Sequence, residues 1–196
     1  MTEESESMLT KKALRTSLLM RRKQLFESPS HGNGLVVRFL EMLEIARPES
    51  VGVFWPIRSE PRLLDAVRQW RDRTGALIYL PETRPDCMVY RRWNADAVLL
   101  KDCAGIPYAP GEVADEPPDM LVAPCVGYAE SCRRLGYGGG YFDRYLAACG
   151  DRRPLTIGVA FDELRVPEEI FEPFDEPLDA IVTDQRIILK GKAPRR

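Results

Sequence analysis

The first apolar repeat along the chain is helical. Leu14, Leu18 and Leu25 fall on one stripe of a segment that Thr10 is placed to cap and that ends near Phe26. A second helix is predicted over Leu35 to Ile45, ahead of Pro48. The pattern then changes. Ser50 to Trp55 is apolar almost throughout, as buried parallel strands are. Pro61 stands where proline opens a helix, and Gly75 where glycine closes one. Ala76 to Leu80 is the next strand, with Pro81 as its stop. Strand, helix, strand in that order is a βαβ unit and implies a parallel sheet. Further strands are predicted at Met88 to Trp93, Met120 to Pro124, Leu155 to Phe161, Ala180 to Thr183 and, briefly, Ile187 to Leu189. Tyr141 to Cys149 reads as a helix and Val98 to Glu116 as a loop. The expected fold is α/β, a mainly parallel open sheet with helices on both faces. It is expected to form a single domain over 1–196, with a helical arm at about 10–27 and a frayed basic tail at 190–196.

Composition narrows the function. At 196 residues and 44% hydrophobic, with a net charge of −2, the chain can bury a core and lacks the signature of disorder. Lysine plus arginine number 28 against 30 acidic residues, which argues against a nucleic-acid partner gripped by the whole surface. No apolar run approaches the roughly 20 residues of a membrane helix. The opening Met1 to Ser7 carries three glutamates and is not expected to act as a signal peptide. The five cysteines are odd in number and none are two residues apart, which disfavours a disulfide framework and a thiolate metal site. Reduced thiols of this kind point to the cytoplasm. The lone histidine, His31, sits in a loop-like Ser-Pro-Ser-His-Gly-Asn-Gly stretch, so a histidine-based triad or zinc site has little to draw on.

Charge is unevenly placed. Between Met8 and Phe26 there are six basic residues and no acidic ones, whereas Asp162 to Arg186 holds nine acidic and two basic. Lys11 and Arg15 are four apart and project from one helix face, either into solvent or toward an anionic ligand.

The densest chemical signal is Arg133-Arg134-Leu135-Gly136-Tyr137-Gly138-Gly139-Gly140-Tyr141-Phe142-Asp143, ahead of a predicted helix. Four glycines in five positions allow left-handed backbone and an inward-turned nest of N–H groups, and such nests bind anions. The following helix offers its positive end, and arginine suits bidentate phosphate contact. The pattern is neither a Walker loop nor a dinucleotide fingerprint. The alternative is a glycine-rich surface turn. Asp143, on the first helical turn, is either a helix-start acid stabilised by the dipole or, beside bound phosphate, a ligand of a divalent cation that removes the repulsion, and Mg²⁺ favours carboxylates with phosphate oxygens. Asp179 is a possible second acid for that cation. Glu60 lies in a turn after the strand that ends near Trp55, where open α/β sheets place ligands, or is simply an acid at the start of the next helix. Trp55, Met88 and Tyr141 could line a slot for a flat ring.

On these residues the sequence resembles the 5-formyltetrahydrofolate cyclo-ligases. The likeness is carried by Arg134 to Arg144, by the preceding Leu121 to Pro124, and by Lys11-x-x-x-Arg15, Pro56-x-x-x-Glu60 and Leu178 to Thr183, in order, over about residues 11 to 188. The resemblance implies a three-layer α/β sandwich similar to the sugar-phosphate isomerase and CoA-transferase group. It implies an ATP- and Mg²⁺-dependent ligase that phosphorylates the formyl oxygen of 5-formyltetrahydrofolate and closes the ring through N10. Carried over residue by residue, Lys11, Arg15 and the run Arg134, Leu135, Gly136, Tyr137, Gly138, Gly139, Gly140, Tyr141 and Phe142 would hold ATP. Asp143 and Asp179 would hold magnesium. Trp55, Glu60, Met88, Tyr137 and Tyr141 would contact the folate, and Arg134, Tyr141 and Asp143 would carry the catalysis. The sequence departs from the family's usual glycines at Cys125 and Cys132, from an acid at Ala129, and from a histidine at Phe174. A divergent nucleotide-binding paralogue without the ligase activity is the alternative reading.

Overall fold

The computed structural model describes residues 3–28, 33–94, 96–172, 175 and 177–191. His31 and Phe174 lie outside them, as does the end of the basic tail from 192 onward. The leucine stripe of the N-terminal segment forms the inner face of α1 (Glu3–Glu27), where Leu18 and Leu25 are buried and Leu14 partly so. This helix begins a full two turns before Thr10, so Thr10 does not cap it. Next come α2 (Asn33–Ala46), β1 (Ser50–Gly52), α3 (Leu64–Thr74), β2 (Leu77–Thr83), β3 (Met88–Arg92), β4 (Leu100–Lys101), β5 (Pro107–Tyr108) and β6 (Met120–Pro124). The chain continues through β7 (Gly127–Tyr128), β8 (Arg134–Leu135), α4 (Tyr141–Cys149), β9 (Leu155–Val159), β10 (Ala180–Val182) and β11 (Ile187–Leu189).

Seven strands form the central sheet among the described residues, in the order β11-β10-β9-β6-β1-β2-β3. The five inner strands are parallel and the two edge strands run antiparallel. Alternation along β6 shows the layering. Met120 and Val122 join the core beneath α2 and α3, with Phe39, Leu43, Val67 and Trp70. Leu121 and Ala123 face the other side, against Phe142 and Leu146 of α4. The result is the expected three-layer α/β sandwich. Helix α1 belongs to neither face. It packs on Val126, Phe161, Leu164 and Val166, which follow the carboxyl ends of β6 and β9.

Several boundaries differ from the sequence pattern for physical reasons. β1 stops at Gly52, although Val53 still donates to the Tyr79 carbonyl at 2.9 Å. Pro61 precedes α3 by three residues instead of opening it, whereas Gly75, in the left-handed conformation, closes the helix as expected. Pro81 does not stop β2. It sits opposite Tyr90, and its nitrogen faces the β1 side beyond Tyr79, the last residue β1 pairs with, so no ladder bond is lost. The stretch read as loop from Val98 to Glu116 contains the small β4–β5 hairpin, and the β7–β8 hairpin was not legible in the pattern at all.

Candidate active site

A cavity of about 640 Å³ opens at the carboxyl edge of the parallel strands. Phe54 and Trp55 beyond β1, Pro81 and Thr83 of β2, and Val122 and Pro124 of β6 line it. This is where a doubly wound sheet exposes its loops to ligands.

One half of the cavity is the glycine loop between β8 and α4. Gly138 has φ +97° and Gly140 φ +65°, conformations that L-residues with a Cβ rarely adopt. Arg15 reaches across from α1, donating from Nε to the Gly136 carbonyl at 2.9 Å. Lys11, one turn earlier, is held by Asp175 at 3.2 Å and Glu172 at 3.6 Å. Arg134 stacks its guanidinium on the Phe142 ring at 4.5 Å, and its Nη2 donates to Asp143 at 2.9 Å. Its Nε is buried and has no hydrogen-bond partner among the described residues. A buried donor without a partner is costly, and an incoming phosphate oxygen would relieve it. The cations and the nest therefore fit a polyphosphate.

The other half is built around Glu60. Its side chain is 1% exposed, and Oε2 accepts the Ile57 N–H at 2.8 Å. Oε1 accepts the Tyr137 hydroxyl at 2.5 Å and lies 4.0 Å from Arg22 Nη1. Burial pushes the Glu60 carboxyl above its ordinary range, and the Ile57 N–H, Tyr137, Arg22 and Arg58 pull it back. Burial, with the neighbouring carboxylate, also pushes the Tyr137 phenol up. The turn that presents Glu60 carries two successive non-glycine residues at positive φ, Arg58 at 47° and Ser59 at 62°. Each such conformation costs roughly 1–2 kcal/mol. Trp55, Met88 and Tyr141 line the same space, and Tyr141 donates its hydroxyl to the Pro85 carbonyl at 3.4 Å.

The structure thus brings Lys11, Arg15, Trp55, Glu60, Met88 and the whole Arg134–Asp143 run to one cavity. Asp179 is the exception. It is not among the lining residues; its carboxylate accepts the Thr156 N–H at 2.8 Å and hydroxyl at 2.7 Å, tying the amino ends of β9 and β10. The expected pairing of Asp143 and Asp179 on one cation is not made, because Asp179 precedes a strand whose opposite end faces the site. Among the described residues there is no group of three or more potential metal-ligating side chains. Asp143 alone, 72% exposed at the cavity rim, fits a magnesium ion that takes one carboxylate and completes its shell with water and phosphate oxygens.

Sequence reasoning missed Arg22, which is fully buried behind Glu60. The signal was present: Lys11, Arg15, Leu18, Arg22 and Leu25 share one helix face, so a cation stood inside the apolar stripe. It also missed Asp175, 164 residues from its partner Lys11, for which no local signal exists. The departures from glycine have a visible outcome. Cys132 takes φ +66° with its thiol buried, and Cys125 is buried in the core with its thiol pushed up to about 12.

Fold and cavity define an α/β protein with a ligand-sized cleft at the carboxyl edge of its sheet. The 5-formyltetrahydrofolate cyclo-ligase family model matches residues 7–184, and the chain belongs to this family. It is 27% identical over 164 residues to the 5-formyltetrahydrofolate cyclo-ligase of Escherichia coli K12, covering 80% of this chain and 89% of that one. It is 29% identical over 194 residues to that of Mycolicibacterium smegmatis, covering 92% and 96%. The NMR structure of Aquifex aeolicus 5,10-methenyltetrahydrofolate synthetase shares the fold with a TM-score of 0.74 at 24% identity, over 95% of both chains.

Proposed function

We propose that this chain closes 5-formyltetrahydrofolate to 5,10-methenyltetrahydrofolate, with ATP converted to ADP and phosphate. The observation that carries the reading is the continuity of one cavity from the glycine cradle, flanked by Arg15 and Arg134, to the buried Glu60, with Trp55 and Met88 in the same lining. Tyr137 and Tyr141 both line that cavity.

Lys11, Arg15 and the 134–142 run hold the triphosphate in this reading. Arg134, whose Nε has no partner, supplies donors to the phosphoryl group as charge shifts toward the leaving oxygen. Asp143 holds magnesium, which when bound neutralises phosphate charge. Glu60 accepts hydrogen bonds from the N–H donors of the pterin edge, and Trp55 and Met88 enclose its ring. The formyl oxygen takes the γ-phosphoryl group, N10 attacks the activated carbon, and phosphate departs as the N10 proton passes to solvent. Phosphoryl transfer asks for alignment and charge neutralisation more than acid–base side chains, so the lack of a histidine among the described lining residues is no obstacle. Tyr141 walls the junction where the two reactants meet. A cytoplasmic setting belongs to the same proposal, and all five thiols are unpaired.

Mixing purified protein with 5-formyltetrahydrofolate, ATP and Mg²⁺ should raise the near-ultraviolet absorbance of the methenyl product. Absence of an ATP-dependent rise at high protein concentration would sink the reading and favour a nucleotide-binding paralogue.

A further inference from the structure

We propose that Arg22 is the positioning residue of the folate pocket: buried outside the cavity wall, its guanidinium holds the Ile57–Glu60 turn in its left-handed course and fixes the Glu60 carboxylate against Tyr137. The role in folate binding rests on the function proposed above.

The geometry is specific. Arg22 is 0% exposed and does not line the cavity, so it touches no ligand. Nε and Nη2 both donate to the carbonyl of Arg58, at 3.2 and 2.8 Å. Arg58 and Ser59 are the two residues held at positive φ, a conformation that persists only where the surroundings over-determine it. Nη1 donates to the Cys125 carbonyl at 3.3 Å, anchoring the same guanidinium to the end of β6. Nη2 also donates to the Tyr137 hydroxyl, which in turn donates to Glu60. Arg22 and Arg58 both lie over the Tyr137 ring, at 5.5 and 5.4 Å. A planar fork spreads its donors across these separated acceptors, whereas an ammonium concentrates three donors at one point and matches them less well. Helix α1 carries Lys11 and Arg15 on the same face, so one rigid element reaches the glycine loop with one turn and the Glu60 turn with another.

The groups facing Glu60 are Arg22 from α1, Arg58 from its own turn, Tyr137 from the glycine loop and the Cys125 thiol beyond β6. Of these, Arg22 is the buried cation, and its removal leaves burial of the carboxylate less opposed.

The test uses the full chain with ¹³C-labelled glutamate, the Glu60 carboxyl resonance being assigned by its loss in Glu60→Gln. In Arg22→Met the Glu60 titration midpoint should move up by about one pH unit or more, with Arg22→Lys between it and the parent. In steady state, Arg22→Met should raise KM for 5-formyltetrahydrofolate about tenfold, the factor for one lost buried charge-assisted contact, while KM for ATP stays near the parent value. An unmoved Glu60 midpoint in a folded variant overturns the proposal, as does an equal rise in both KM values, which would mark Arg22 as merely structural. Should Arg22→Met fail to fold, Arg22→Lys supplies the same two readings. If the parent protein has no cyclo-ligase activity, the functional reading fails and the NMR titration still decides whether Arg22 positions Glu60.

Discussion

Replacing Gly140 by alanine separates a conformational role of the glycine loop from a decorative one, because the sign of the effect differs. At a position with ordinary negative φ, glycine to alanine stabilises by about 0.4–1 kcal/mol through the unfolded chain. Gly140 has φ 65° and ψ 8°, at the start of α4. There a Cβ costs about 1–2 kcal/mol. The added methyl would also lie 2.8 Å from Arg144 Nη1, a flexible group that would have to leave the Gly139 carbonyl it binds at 3.0 Å. The net loss is roughly 1 kcal/mol once the unfolded-state gain is set against the strain. If the loop keeps its course, the melting temperature should fall by about 2–4 °C, the size expected for a chain of this length. If it relaxes, stability is spared and the dissociation constant of a non-hydrolysable ATP analogue should rise about fivefold instead. Gly140→Asn, which tolerates the left-handed region, should fall between glycine and alanine. The assay is differential scanning fluorimetry with and without the analogue, alongside calorimetric titration. A higher melting temperature with unchanged nucleotide affinity in Gly140→Ala would refute the reasoning.

Asp143→Asn should abolish most turnover while moving the melting point little, since the Asp143 carboxylate is largely solvent-exposed and its pair with Arg134 worth about 1 kcal/mol; near-normal activity at saturating Mg²⁺ would argue against a metal role. The raised Glu60 pKa carries a definite sign. The folded state holds the proton to higher pH than the unfolded chain, so stability contributed at this site is lost as pH rises from the ordinary carboxyl value of 4.5 through the elevated native one. Chemical denaturation from pH 4 to 8 should show this decline relative to Glu60→Gln, and parallel curves would contradict it. Gly52→Ala should destabilise by about 1–3 kcal/mol through overpacking, because its Cβ would meet Leu121 Cδ2 at 2.4 Å and Tyr90 Cε1 at 2.7 Å; an unchanged urea midpoint would show the core to be softer than its packing indicates.

Much of the molecule was legible along the chain. Local periodicity located α2, α4 and most strands of the sheet, because burial on one face leaves its spacing in the sequence. The glycine run announced a left-handed loop, and Gly138 and Gly140 take that conformation. Charge spacing on α1 placed Lys11 and Arg15 together, and both line the cavity. Where local rules failed, a neighbour intervened. Pro81 continues β2 because the ladder on its nitrogen side has already ended, a fact that depends on how long β1 is.

Sequence alone therefore settled the residue chemistry: a side-chain-poor turn, two cations on one helix face, an acid after a strand, and a single histidine in a loop-like stretch. Tertiary structure decided which of those groups share a space. It sent Asp179 to the amino end of its strand, where Thr156 takes its carboxylate, and kept Asp143 at the cavity mouth. It also turned Arg22, one basic residue among six in its segment, into the buried partner of Glu60 and Tyr137. The physical reason is range. Periodicity and turn chemistry act over a few residues, whereas a buried ion pair or a shared pocket is a contact between segments that only the packed sheet brings together.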